Sequence, residues 1–160
     1  MSQLSPKPLV VDGSAFSFGI VAARYNEVYV NGLLEDVLAG LRAAGAAEDS
    51  IVIERVPGSN ELPVAAKWMV ETGKFDAIIA LGTVIKGGTQ HDKMVADGSN
   101  YGLHRLALDS GVCVVNGVIA GNDEAQVEER CTGDMRKGPS FAQCALEMAD
   151  MRRAYAGGQA

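Results

Sequence analysis

Four short apolar runs punctuate the chain, at residues 18–23 (FGIVAA), 51–56 (IVIERV), 77–84 (AIIALGTV) and 112–119 (VCVVNGVI). The first, third and fourth are nearly continuous rather than alternating, the pattern of strands buried on both faces of a parallel sheet. The second carries Glu54 and Arg55 and reads as an edge strand. Between the runs the apolar spacing changes to that of a helix. After Asn26, a favoured N-cap type, Val30, Leu33, Leu34, Val37, Leu38 and Leu41 fall on one face, and Gly45 offers a left-handed stop. A second set, Leu62, Ala65, Ala66, Met69 and Val70, has Pro63 near its start and Gly73 at its end. Residues 91–109 form a third, less regular helix with Val95, Leu103 and Leu106 turned inward, and residues 126–131 a short fourth one. The last helix carries Phe141, Cys144, Ala145, Met148, Met151 and Tyr155 on one stripe.

This alternation predicts an α/β domain, a three-layer α/β/α sandwich around a four-stranded parallel sheet of flavodoxin-like topology, with right-handed crossovers. At 160 residues the chain fits a single domain. That domain spans residues 1–160, with 1–15 as an N-terminal arm and 156–160 as a frayed tail. A hydrophobic content of 48 % excludes intrinsic disorder. The net charge of −6 and the absence of a basic cluster argue against nucleic acid as a partner. Cys113, Cys131 and Cys144 are odd in number and lack metal-ligand spacing, and Cys113 reads as a small core residue. No signal-peptide pattern opens the sequence and no apolar stretch approaches the roughly 20 residues that cross a bilayer, so a cytoplasmic location is expected.

In open parallel sheets, ligands bind beyond the carboxyl ends of the strands. Four polar or Gly-rich segments are expected there: Arg24-Tyr25-Asn26, 57–63 (PGSNELP), 82–91 (GTVIKGGTQH), and Asn116-Gly117 with 120–123 (AGND). In the third, Gly87-Gly88-Thr89 lets backbone N–H groups approach an anion, but the lysine of a nucleotide-binding P-loop is missing. A phosphate monoester suits this segment better than a triphosphate. His91 follows directly, either as a proton carrier or as a residue decorating a helix start. Tyr25 either stacks on a flat heterocycle or packs as an ordinary aromatic. Glu61 either binds ligand or stabilises a helix dipole. Arg130 and Lys137 flank CTGDMR as a phosphate clamp or as solvated charges.

Taken in order, Arg24-Tyr25-Asn26, Val56-Pro57-Gly58-Ser59-x-Glu61-Leu62-Pro63, 81–91 (LGTVIKGGTQH), Glu128-x-Arg130 and Ala145-x-Glu147-Met148-Ala149 resemble the 6,7-dimethyl-8-ribityllumazine synthase family of riboflavin biosynthesis. The resemblance runs from about Phe16 to Tyr155. It implies condensation of 5-amino-6-(D-ribitylamino)uracil with 3,4-dihydroxy-2-butanone 4-phosphate, without a metal or redox cofactor. It further implies that Tyr25 stacks on the pyrimidine, that Ser59, Asn60 and Glu61 bind the ribityl chain and ring edge, and that Thr83, Val84 and Ile85 offer backbone groups to the ring. Gly88, Thr89 and Arg130 would hold the phosphate and His91 would transfer protons. Asn116, Arg130 and Lys137 would reach the site from a neighbouring subunit, in pentamers or icosahedral capsids.

The sequence departs from the family pattern at four places. Asn60 replaces a bulky apolar residue, Asp92 replaces an aromatic after the histidine, Ala120-Gly121 replaces a frequent Thr-Thr, and the segment after Arg130 lacks Gly-Thr-Lys-x-Gly-Asn. Two alternatives therefore stand beside an active lumazine synthase. One is a divergent relative such as an archaeal-type riboflavin synthase; the other is a non-catalytic flavin- or lumazine-binding shell protein. His91 with Arg130 favours turnover.

Overall fold

The structure, a computed structural model, describes residues 5–158. The outermost parts of the expected arm and tail, residues 1–4 and 159–160, lie outside the described residues. Four parallel strands, β1 (Phe18–Ala23), β2 (Ile51–Val56), β3 (Ala77–Ile85) and β4 (Cys113–Gly121), pair in the order β2-β1-β3-β4. Five α-helices accompany them among the described residues: α1 (Glu27–Ala43), α2 (Leu62–Glu71), α3 (His91–Ser110), α4 (Glu124–Cys131) and α5 (Gly138–Ala156). Helices α2 and α3 pack on each other, and α1 packs on α4 and α5, so helices flank the sheet in two layers. The strand order is that of a flavodoxin-like doubly wound sheet, and it reverses direction between β1 and β3.

Every residue of β1 and the first eight of β3 are buried, which explains their unbroken apolar runs. The fourth run behaves differently from the expectation. Strand β4 starts at Cys113, extends to Gly121, and mixes buried and half-buried positions with an exposed Ala120 because it is the second edge of the sheet. Asn116 therefore lies in the middle of a strand, opposite Ala80, rather than past its carboxyl end.

Other expectations also need correction. Asn26 does precede α1, but it adopts a left-handed conformation (φ 54°) and its side chain caps nothing; its backbone carbonyl accepts from Tyr29 and Val30 instead. Helix α5 buries Ala142, Ala145, Leu146 and Ala149, whereas Cys144, Met148, Met151 and Tyr155 are exposed. The small face wins because α5 lies close against α1: a Cβ on Gly40 would come within 2.7 Å of the Ala142 Cβ. Cys113 is half-buried rather than in the core. Its thiol is hydrogen-bonded with that of Cys144, which holds Cys144 down to about 7 and pushes Cys113 up.

At the amino ends of the strands, Asp76 accepts from the Ser17 backbone N–H (2.8 Å) and from Arg153 Nη2 (2.9 Å). The Arg153 guanidinium also lies 4.4 Å from the centre of the Phe16 ring, and Arg152 donates to the Gly111 carbonyl (3.0 Å). Helix α5 continues to Ala156, where the Gly157 N–H closes its last turn, so the chain remains helical at the start of the expected tail. No helix among the described residues is long and apolar enough to cross a membrane.

Candidate functional site

The reversal of strand order leaves a crevice at the carboxyl ends of β1 and β3, where the preceding and following connections diverge. A cleft of ≈ 550 Å³ occupies it. Three connections build its wall. After β1, the backbone N–H groups of Arg24 and Tyr25 donate to Val56 (2.8 Å) and Pro57 (3.1 Å), which ties the first connection to the second. Tyr25 is 74 % exposed there and lines the cleft, so its ring is no core aromatic.

After β2, the Gly58 N–H donates to Glu61 Oε2 (3.0 Å), and the Glu61 N–H donates back to the Gly58 carbonyl (3.2 Å). Glu61 thus shapes the loop that it belongs to, and it lines the cleft as well. Ser59 is buried and its hydroxyl donates to the Thr83 carbonyl (3.3 Å). This close approach depends on Gly82, since a Cβ there would lie 2.4 Å from Ser59 Oγ. Asn60 is exposed and also lines the cleft.

After β3 come the remaining walls. Thr83, Val84 and Ile85 form the last residues of the strand and face the cleft together with Gly87, Thr89, His91, Asp92 and Val95. The His91 N–H donates to Thr89 Oγ1 (3.3 Å), which turns the chain into α3 and fixes where the imidazole begins. Neither Gly87 nor Gly88 has a left-handed backbone, and a Cβ on either would meet nothing within 4 Å. The chain itself therefore makes no close approach to these glycines. Gly88 is exposed and is not among the residues lining the cleft.

The cleft thus unites Tyr25, Ser59, Asn60, Glu61, Thr83, Val84, Ile85, Thr89 and His91. Asn116, Arg130 and Lys137 do not line it. Asn116 donates to Asn100 Oδ1 (2.8 Å) and accepts from the Val118 N–H (3.1 Å), which fastens α3 to β4. Arg130 ends α4 half-buried, with Nη1 on the Gln126 carbonyl (2.9 Å), and its own carbonyl accepts from the Lys137 N–H (2.8 Å). Arg130 and Lys137 are therefore joined backbone to backbone outside the cleft. Asp92 and Val95 were not among the ligand-site residues expected from the sequence, although the i,i+3 spacing of Asp92 and Val95 and the i,i+4 spacing of His91 and Val95 bring them to one side of the first turn of α3. No group of three His, Cys, Asp or Glu able to hold a metal ion occurs among the described residues.

The sequence model of the 6,7-dimethyl-8-ribityllumazine synthase family matches residues 15–153. The chain is 38 % identical to a 6,7-dimethyl-8-ribityllumazine synthase of Ralstonia nicotianae over 150 residues, covering 94 % of this chain and 90 % of that one. It is 40 % identical over 141 residues to the protein of the same name from Thermococcus gammatolerans, covering 88 % of this chain and 90 % of the relative. A third, from Paraburkholderia phymatum, is 38 % identical over 141 residues, covering 88 % and 80 %.

Proposed function

The chain belongs to the 6,7-dimethyl-8-ribityllumazine synthase family of riboflavin biosynthesis, and from this we propose that it condenses 5-amino-6-(D-ribitylamino)uracil with 3,4-dihydroxy-2-butanone 4-phosphate, releasing phosphate and water. The observation that carries the proposal is the cleft at the β1/β3 reversal, which collects an exposed aromatic, a polar loop and a histidine in a chain of this family. Its volume is within the range of small-molecule sites, about 300–1,000 Å³.

In this reading Tyr25 stacks on the pyrimidine, while Ser59, Asn60 and Glu61 address the ribityl chain and ring edge. The backbone of Thr83, Val84 and Ile85 meets the ring. Gly88 and Thr89 hold the phosphate, with open space around both loop glycines for it to enter. The substrate amine attacks the ketone to give an imine and water. Phosphate is then eliminated, and ring closure with loss of a second water completes the lumazine. His91 carries protons between these steps. Holding the two reactants in register can lower the barrier by roughly 7–11 kcal/mol. General acid–base catalysis adds about 10²–10⁴-fold.

The assembly belongs to the same proposal. Arg130, Lys137 and Asn116 serve the cleft of a neighbouring copy in a cytoplasmic homo-oligomer, a pentamer or a capsid of pentamers. The exposed apolar side chains of the α2–α3 layer, Trp68, Tyr101 and Leu108 among them, support such contacts. Purified protein mixed with both substrates should form lumazine, seen by absorbance, together with an equal amount of phosphate. A rate no greater than the uncatalysed one would sink the proposal. Asn60 and Asp92 in the cleft favour a second reading, a divergent relative acting on a similar ribitylated heterocycle. Conversion of lumazine alone to riboflavin would select it.

A further inference from the structure

Asp92 follows His91 and lines the same cleft, and its Oδ1 is buried with no hydrogen-bond donor among the described residues. Thr83 Oγ1, also in the cleft wall, is in the same condition. A third buried oxygen of this kind, Asp36 Oδ2, belongs to a carboxylate whose Oδ1 already pairs with Arg136 (3.0 Å). Asp92 has no such partner within its own chain, because no lysine or arginine among the described residues lines the cleft. An ionised carboxylate accepts hydrogen bonds and cannot donate them. Burying one of its oxygens without a donor destabilises the folded chain, and a ligand that brings a donor removes that penalty.

The charge selects which ligand does so. A carboxylate repels a phosphate dianion, whereas the uncharged pyrimidine substrate presents several O–H and N–H donors. We propose that Asp92 is a specificity-determining residue whose Oδ1 accepts a hydrogen bond from an O–H or N–H of the ribitylaminopyrimidine; the assignment rests on the function proposed above. An aromatic at this position, as the family pattern has it, offers no such acceptor. The chain has thereby exchanged an apolar wall for a polar contact. A site built around a buried acceptor discriminates strongly against analogues that lack the donor, because the acceptor is then left unpaired.

Two variants test this. Asp92→Leu keeps the approximate size and removes the acceptor; Asp92→Asn keeps an acceptor oxygen and removes the charge. In Asp92→Leu the KM for the pyrimidine should rise about tenfold or more. It should rise less in Asp92→Asn, with the KM for the butanone phosphate not raised in either. A pyrimidine KM equal to that of the parent protein, or an equal rise for both substrates, overturns the assignment. Titration calorimetry with the pyrimidine alone gives the same comparison as Kd without turnover. Unchanged Kd in Asp92→Leu defeats the Asp92 assignment. Absence of lumazine formation by the parent protein defeats the function proposed above.

Discussion

His91 and Arg130 divide the proposed chemistry between proton and anion, and their surroundings equip them differently. The His91 backbone is held by Thr89 while the side chain is exposed at the cleft. His91→Ala should therefore lower kcat by about 10²-fold with little change in KM. Steady-state kinetics showing an unaltered kcat would reduce His91 to a residue that starts a helix. Arg130 spends one N–H on Gln126, and a guanidinium carries five, so donors remain for a phosphate oxygen. Arg130→Ala should raise the KM for the butanone phosphate by roughly 10- to 100-fold, and an unchanged KM would remove it from that role. Tyr25, Ser59, Glu61 and His91 were legible in the sequence because each belongs to a contiguous motif at a strand end. Asp92 was visible there only as a departure from a pattern, since burial of one carboxylate oxygen is a property of packing. The strand position of Asn116 was misread because the length of an edge strand depends on its partner, and β3 continues to Ile85 alongside it.

At the scale of elements, two glycines separate propensity from packing. Replacing glycine by alanine inside a helix normally stabilises by roughly 0.5–1 kcal/mol. At Gly98 in α3 the nearest atom to an added Cβ is Asn60 Oδ1 at 4.0 Å, so Gly98→Ala should deliver that gain. At Gly40 in α1 the added Cβ would lie 2.7 Å from the Ala142 Cβ, and overpacking costs about 1–3 kcal/mol. Gly40→Ala should therefore be destabilising by about 1 kcal/mol in denaturant unfolding, the opposite sign from Gly98→Ala. Two variants shifting the same way would contradict the packing of α1 on α5. The same contact explains why the buried face of α5 was hidden. Alanine contributes little to an apolar pattern, so the stripe of Phe141, Met148, Met151 and Tyr155 dominates the sequence signal, although most of it faces outward. Strands β1 and β3 posed no such difficulty, since complete burial leaves its mark on every residue.

For the whole molecule, the separation of Arg130 and Lys137 from the cleft of their own chain makes the proposed activity a property of an assembly. Light scattering should give a mass near five times 16.8 kDa, or a larger multiple for a capsid. Trp68→Glu, placing a charge on a side chain that is 63 % exposed on α2, should lower the mass and the activity together. A monomeric parent protein that retained full activity would exclude a shared site. The net charge of −6 was legible at once, yet it says nothing about where the cations lie. The lacing at the amino ends of the strands has a mechanical consequence. Arg152 and Arg153, both in the closing turns of α5, stitch that helix to Gly111, to Asp76 and, through Asp76, to the start of β1. The molecule has one sewn pole and, at the far ends of the same strands, one open pole. A tag or probe fused after α5 would hang from the sewn pole, a full strand length from the substrates.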